Sequence, residues 1–176
     1  MSSKKVISNS RKESGIPDNQ QERLKIIGWI VGYTDGEGCF SVSIFRNRTT
    51  KFGWQVFPEF VVAQEMKSKK SLELIQKFFG CGKIFINRRH DNHKQDLYRY
   101  CVRNRDELTN KIIPFFKQNQ LQTAKRKDFV KFSKIVNLMN QNVHKKMIGM
   151  KKIALLIEKM NNKKTSRFLE SSETKR

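Results

Sequence analysis

The sequence predicts an α+β fold in which helices cover one face of an antiparallel sheet. Two observations indicate this fold. Apolar residues recur at helical spacing in several stretches, and two pairs of stretches with alternating apolar and polar residues are joined by short polar turns. The stretches follow one another as helix, hairpin, helix, hairpin and further helices. This order predicts one antiparallel sheet with the helices packed on one side of it.

The periodic segments define one domain. The predicted elements are a helix over 18–35, strands over 39–48 and 54–64, a helix over 68–79, strands over 83–88 and 96–102, and helices over 106–116, 123–140 and 145–162. We expect Gly36 and Gly38 to end the first helix, because glycine accepts the backbone angles of a sharp exit. Residues 18–162 then form a single domain between a flexible basic arm over 1–17 and a disordered tail over 163–176.

The charge balance restricts the class of partner. The chain has 37 Lys and Arg residues against 16 Asp and Glu residues, which gives a formal net charge of +21. Such self-repulsion destabilises a folded chain unless a polyanion neutralises it, and nucleic acid is the common polyanion. A membrane partner is not expected, because no apolar run reaches the roughly 18 residues of a membrane span.

The cysteines and the amino-acid composition give expectations about the cellular location of the chain. Cys39, Cys81 and Cys101 are odd in number and lack a C-x-x-C spacing, so we expect neither a disulfide framework nor a zinc site. The first residues are polar and lack the apolar core of a secretory signal, which predicts an intracellular location. The abundance of Lys, Asn, Ile and Phe is typical of an A+T-rich gene and suggests an organelle, either chloroplast or mitochondrion.

The segment from Ile30 to Gly38 contains the candidate metal-binding carboxylates. An apolar helix ends there in an acid, a glycine, a second acid and a second glycine, which brings two carboxylates to a helix C-terminus. The negative end of the helix dipole disfavours anions, so a cation should compensate for them. Mg²⁺ is a natural candidate, because it binds one or two carboxylates and keeps water or phosphate oxygens as its other ligands.

This segment resembles the signature motif of the LAGLIDADG homing endonucleases, and the order of elements is similar to that family's domain over about residues 20–160. The resemblance implies a saddle-shaped sheet, DNA cleavage, and a divalent cation, Mg²⁺ or another such as Mn²⁺. It also implies that the last acid of the motif, Glu37, is catalytic and holds the metal at the scissile phosphates. Asp35 matches the earlier acid, which together with Gly36 and Gly38 organises the helix end and the turn.

A single motif in this chain implies that an identical subunit supplies the second one, so the family resemblance predicts a homodimer and a nearly palindromic DNA target. Gly28 and Gly32 lie one helical turn apart and would let two motif helices approach closely. Val31 stands where the family usually has a smaller residue, so Gly28 could set the interface instead. The alternative is that Gly28 is an ordinary glycine within a helix.

Two further residues match the periphery of the family's active site. Gln64 ends the second strand, where the family often places a polar residue that positions water near the metal. Lys125 resembles the basic residue that stabilises developing phosphate charge, although Arg126 or Thr123 could occupy that place and Lys125 could be an exposed helix lysine. The implied reaction is hydrolysis of a phosphodiester by metal-activated water, without a covalent intermediate.

The hairpins are the predicted DNA-reading elements, because a two-stranded ribbon fits the major groove and presents alternate side chains to base edges. The residues expected to face the bases are Ser41, Ser43, Phe45, Asn47, Thr49, Gln55, Phe57, Glu59, Val61, Lys83, Phe85, Asn87, Arg89 and Arg99. Those expected to contact phosphates near the first turn are Arg46, Arg48 and Lys51. For the three phenylalanines, packing in the core is the alternative. His90 and His93 have a spacing that zinc could use, but without further ligands we expect them to approach DNA.

Two other functions remain open from the sequence. The same fold could serve as a maturase that binds intron RNA, or the chain could be a basic structural nucleic-acid binder in which Asp35 and Glu37 only form a turn. The second acid, Glu37, favours cleavage, because a scaffold would not require it.

Overall fold

The structure is a computed structural model, and it describes residues 18–88, 97–160 and 167–170. The first helix and hairpin are α1 (Asp18–Glu37), β1 (Gly38–Arg46) and β2 (Trp54–Glu65), followed by a 3₁₀ turn (Met66–Ser68) and α2 (Lys69–Phe79). The second hairpin is β3 (Lys83–Asn87) and β4 (Leu97–Val102). The remaining elements are α3 (Arg105–Glu107), a π-helical turn (Leu108–Ile112), α4 (Ile113–Gln118), α5 (Lys125–Asn140), a 3₁₀ turn (Val143–Lys145), α6 (Met147–Glu158) and α7 (Arg167–Glu170).

The strands form one antiparallel sheet, as predicted, and their order in it is β1-β2-β4-β3. One face of this sheet is the floor of the core, where Phe40 pairs with Phe60 in register. The Phe40 ring contacts the rings of Phe116 and Phe129 on the covering helices, with centroids 5.3 and 5.1 Å apart. The predicted α+β fold with helices on one face is therefore confirmed.

The residues that alternate with the core-facing ones in each strand lie on the opposite face of the sheet, the open face. Register places Ser43 beside Phe57 and Phe85 beside Arg99 on this face. Ser43 and Phe85 are exposed. The open face thus exposes some of its side chains, while the core covers the other face.

The end of α1 differs from the expectation. The helix continues through Gly36 to Glu37 instead of ending near Asp35, and neither Gly36 nor Gly38 has a positive φ. Gly38 is required for space: a Cβ there would lie 2.5 Å from Cγ2 and 2.7 Å from the carbonyl oxygen of Thr34. The glycine therefore lets β1 leave the helix in close contact with the last turn.

The segment after β4 and the C-terminal segment also differ from the prediction. The third predicted helix consists of α3, the π-helical turn and α4, and the Asn104 side chain caps it by accepting hydrogen bonds from the amides of Asp106 and Glu107 at 2.8 and 3.2 Å. The expectation of a disordered tail over 163–176 is wrong at α7, where Phe168 is fully buried and meets the ring of Trp54 edge-on at 5.3 Å. The basic arm over 1–17 lies outside the described residues, and no described helix has the length and apolarity to cross a membrane.

Candidate active site and nucleic-acid interface

The motif carboxylate Glu37 is the last residue of α1 and is exposed. The next residue, Gly38, begins the edge strand β1 and pairs with Val62 of β2. Gln64 lies two residues beyond that pair and is half-buried. The structure therefore places Glu37 at the edge of the sheet, at the level of the end of β2 where Gln64 lies.

Lys125 caps the C-terminus of α1. Its ammonium donates hydrogen bonds to the carbonyl oxygens of Thr34 at 3.3 Å, Asp35 at 2.8 Å and Gly36 at 2.5 Å. These carbonyls carry the negative end of the helix dipole, so the positive charge stabilises them. Of the three candidate residues in this segment, it is Lys125 whose charge reaches the motif, and it supplies part of the positive charge that the helix end requires.

Asp35 ties the same helix end to the loop before α5. Its carboxylate accepts hydrogen bonds from the amide of Gln122 at 2.8 Å and from the amide and hydroxyl of Thr123 at 3.3 and 2.7 Å. Burial alone would raise the pKa of Asp35, but these hydrogen bonds and the nearby charge of Lys125 together hold it below the usual value. Asp35 is thus ionised and engaged within the chain, and Glu37 is the motif acid that is exposed.

The ligands for a divalent cation at Glu37 are few but of the appropriate type. Over 18–88, 97–160 and 167–170 there is no group of three or more His, Cys, Asp or Glu side chains that could hold a metal ion. One carboxylate per chain suits a hard cation such as Mg²⁺, which commonly takes one or two protein carboxylates and completes its shell with water and phosphate oxygens. The donor type therefore fits such a cation, although Glu37 alone would supply only part of its ligands.

Three glycines form an exposed strip along one side of α1. Gly28, Gly32 and Gly36 are spaced by four residues, are exposed, and would carry a Cβ that meets nothing within 4 Å. Leu24 continues the strip and is 57% exposed. Val31 is half-buried and packs partly against the core of its own chain, so the glycines contribute more to this strip than Val31 does.

Most of the predicted base-facing residues lie on the open face. Phe45 and Phe85 are each 41% exposed there, and the Phe45 and Phe57 rings are in contact at 5.9 Å. None of these three phenylalanines belongs to the core cluster, which removes the alternative of core packing. The register places on the same face Ser41, Ser43, Gln55, Lys83, Asn87 and Arg99.

Two of the predicted base-facing residues are corrected by their burial. Glu59 lies on the open face by register but is only 7% exposed, because the arginines Arg99 and Arg103 cover its carboxylate. Val61 pairs with Cys39 and Cys101 on the same face and is 6% exposed. Neither side chain presents a surface that a base edge could contact. Arg103 was missed in the sequence because it follows the end of β4, where alternation no longer indicates a face.

The turn of the first hairpin holds several predicted residues in an internal network. Asn47 donates to the Gln55 side chain at 2.5 Å and accepts from the hydroxyl of Thr49 at 2.7 Å. The guanidinium of Arg46 lies over the Trp54 ring, 4.1 Å from its centroid. Arg48 and Lys51 are exposed beside this turn. The predicted Arg89, His90 and His93 lie outside the described residues.

Comparison with known proteins identifies the family. The family model described as LAGLIDADG endonuclease matches residues 30–136, which include the motif, both hairpins and most of α5. The chain belongs to the LAGLIDADG endonuclease family. The matched region begins within α1 and contains Glu37, Gln64 and Lys125.

Curated relatives of this LAGLIDADG chain include intron-encoded enzymes. A probable intron-encoded endonuclease 2 of Neurospora crassa is 36% identical over 126 residues, which cover 71% of this chain and 27% of the relative. The DNA endonuclease I-CeuI of Chlamydomonas moewusii is 30% identical over 119 residues, covering 66% of this chain and 53% of the relative. The chain thus spans about a quarter of the length of the Neurospora relative and about half of I-CeuI.

Solved structures of LAGLIDADG proteins show the same fold. The homing endonuclease I-TnaI is 38% identical with a TM-score of 0.74, and the match covers 85% of this chain and 97% of that one. The I-LtrWI LAGLIDADG homing endonuclease, solved bound to target DNA, is 33% identical with a TM-score of 0.74, and the match covers 84% of this chain and 48% of that one. This chain therefore corresponds to nearly the whole I-TnaI chain and to about half of I-LtrWI.

Proposed function

We propose that this chain is a site-specific, intron-encoded homing endonuclease. It would act as a homodimer and cut both strands of a long, nearly palindromic DNA target, with a divalent cation, Mg²⁺ or Mn²⁺, as cofactor. The observation that carries the proposal is the position of Glu37. It is an exposed carboxylate on a helix end that Lys125 and Asp35 fix in place, at the edge of a sheet whose open face exposes Ser43, Phe45 and Phe85. The net charge of +21 supplies the attraction for a polyanion.

The homodimer follows from the chemistry and from the surface of α1. One carboxylate per chain would supply one protein ligand to a cation, and cleavage of two strands would need a second such group; a two-fold axis beside α1 would bring a second Glu37 close to the first. The exposed strip of Gly28, Gly32 and Gly36 has no side chains to hold two helices apart. The symmetry of such a dimer makes the target nearly palindromic.

The residues around Glu37 have separate tasks in hydrolysis. A bound divalent cation would supply Lewis-acid stabilisation of the phosphate and a more acidic water. Glu37 would hold the cation, and Gln64 would orient water at the level of the helix end. Lys125 holds the last turn of α1 in place, and its positive charge would also stabilise negative charge that develops on a nearby phosphate.

The names of the curated relatives support intron homing. One is described as a protein in ND4 intron 1 of Podospora anserina, and another as a probable intron-encoded endonuclease Cox1-I1b of Schizosaccharomyces pombe. We propose an organellar location for this chain on that basis and on its residue composition. Exposure of Glu37 favours DNA cleavage over a role in binding intron RNA alone.

The test is metal-dependent cleavage by the purified full chain. The substrate is a plasmid that joins the sequences flanking the intron in which this reading frame lies, with the intron removed. We expect linear product with Mg²⁺, none with EDTA, and none from Glu37→Gln, which should still retard the same DNA on a gel. The matched control is Glu73→Gln, an exposed carboxylate on α2, which should cut normally. Cleavage by Glu37→Gln, or RNA binding without any cleavage by the wild type, would refute the proposal.

A further inference from the structure

We infer that Arg99 and Arg103 recognise guanines at adjacent positions of the DNA target, and that the buried carboxylate of Glu59 positions both guanidiniums for this contact. The inference rests on the proposed function and adds a feature of the target sequence to it. Its basis is a cluster at the centre of the open face, formed by Phe57, Glu59, Phe85, Arg99 and Arg103.

Glu59 joins the two arginines. Arg99 donates through Nη2 to Oε1 of Glu59 at 3.2 Å, and Arg103 donates through Nε to Oε2. The side chain of Glu59 is 9% exposed, so its charge is tolerated only because both oxygens are paired. One negative and two positive charges leave the cluster with a net charge of +1, which suits the contact of a positive group with a base edge.

Two aromatic rings restrict Arg103 further. Its guanidinium carbon lies 5.0 Å from the centroid of the Phe85 ring and 5.7 Å from that of Phe57. Cation–π contacts of this kind hold the planar group in a fixed orientation. Arg103 is therefore preorganised by a carboxylate and two rings before any DNA arrives.

The donors that remain fit a guanine. An arginine has five N–H donors, and Arg103 uses its Nε–H for Glu59 and a further donor for the thiol of Cys101, which leaves three donors. Its side chain is 42% exposed and that of Arg99 is 34% exposed, so both reach the open face. The pair of donors at the end of a guanidinium matches O6 and N7 of guanine in the major groove, the commonest base-specific contact of arginine.

The position in the sheet favours bases over phosphates. Glu59 lies on β2, and Arg99 lies on β4, which are the two central strands. A groove-filling ribbon presents its central residues to base edges, whereas the edges and turn meet the backbone. Each guanidinium contacts a different oxygen of the same carboxylate, so the two groups lie close together. Because stacked base pairs rise by about 3.4 Å, the two guanines should belong to adjacent base pairs.

The experiment is selection of DNA from a randomised duplex library by the purified full chain, followed by sequencing. The wild type should select, in each half-site, guanines at two adjacent base pairs. Arg103→Ala should lose the preference at one of these positions and Arg99→Ala at the other, each by about 5- to 150-fold, with the rest of the selected sequence unchanged. Glu59→Gln should weaken the preference at both positions while thermal melting shows that it is folded. The control for loss of one positive charge is Lys117→Ala, on the exposed surface of α4, which should leave every position unchanged.

The outcomes separate this inference from the proposed function. A wild type that selects and cuts one sequence without adjacent guanines overturns the inference and leaves the endonuclease intact. The same holds if Arg103→Ala weakens binding equally for all sequences, since that is the behaviour of a phosphate contact. A wild type that selects no sequence overturns both. If Glu59→Gln does not fold, the two arginine variants decide the readout by themselves.

Discussion

Replacing Lys125 by methionine tests the fixed end of α1. Methionine keeps an unbranched apolar stem of four heavy atoms but removes the ammonium that donates to the carbonyls of Thr34, Asp35 and Gly36. A cation at a helix C-terminus stabilises by about 0.3–2 kcal/mol. Hydrogen bonds from a charged donor contribute about 1.5–3 kcal/mol in general, but Gly36 is exposed and water can replace part of that contribution. We therefore expect Lys125→Met to lower the free energy of unfolding by about 2 kcal/mol.

The loss is measurable by urea unfolding and by calorimetry. For a chain of this size, about 2 kcal/mol corresponds to a fall in Tm of about 4–8 °C. The matched control is Lys127→Met on the same helix, which is exposed and should change Tm little. The cleavage rate of Lys125→Met should fall even at temperatures where the variant is folded, because Glu37 loses its fixed support. An unchanged Tm together with an unchanged cleavage rate would refute the role of Lys125 at the helix end.

Three further predictions concern the same helix. Gly38→Ala should lower the free energy of unfolding by about 1–3 kcal/mol in chemical denaturation, because its Cβ would lie 2.5 Å from Thr34. The control Gly36→Ala has open space around its Cβ and should not destabilise the isolated chain. Equal effects of the two substitutions would contradict the close contact at Gly38. Because the folded state lowers the pKa of Asp35 below its ordinary value of 3.8, the stability that its ionised form contributes is fully present at neutral pH and is lost as the pH falls below that value and through the lowered pKa. The stability difference from Asp35→Asn should therefore be constant near neutral pH and shrink in that acidic range, and a difference that does not change there would count against the assignment. Gly32→Leu should convert a dimer into a monomer in sedimentation, and a dimer that survives would place the interface elsewhere.

The fold was predictable because its signals are local. Alternation over the strands identified which side chains face the core and which face a partner, and Phe40 and Phe60 pair as that pattern requires. The helix ends were less accurate, because the end of α1 depends on a close approach between Gly38 and Thr34 that spacing does not reveal. The buried α7 was missed for a related reason, since Phe168 packs against Trp54, which is far away in the sequence.

The candidate site was predictable only in part. The motif and its resemblance indicate Glu37, Asp35 and Lys125, which the structure gathers at one helix end. The burial of Glu59 could not be inferred, because it depends on Arg99 of β4 and Arg103, which follows β4, reaching across to β2. Such pairings connect residues some 40 positions apart, and no local pattern records them.

We propose that two copies of Glu37, one from each of two chains, are needed to cut both strands of the target. The most direct test is a mixed dimer, purified through two different affinity tags, that combines a wild-type chain with a Glu37→Gln chain on the DNA that the wild type cuts. We predict that this dimer binds the DNA but makes no double-strand break with Mg²⁺. Double-strand cleavage at the wild-type rate by a dimer with a single Glu37, or by a monomer, would contradict the claim.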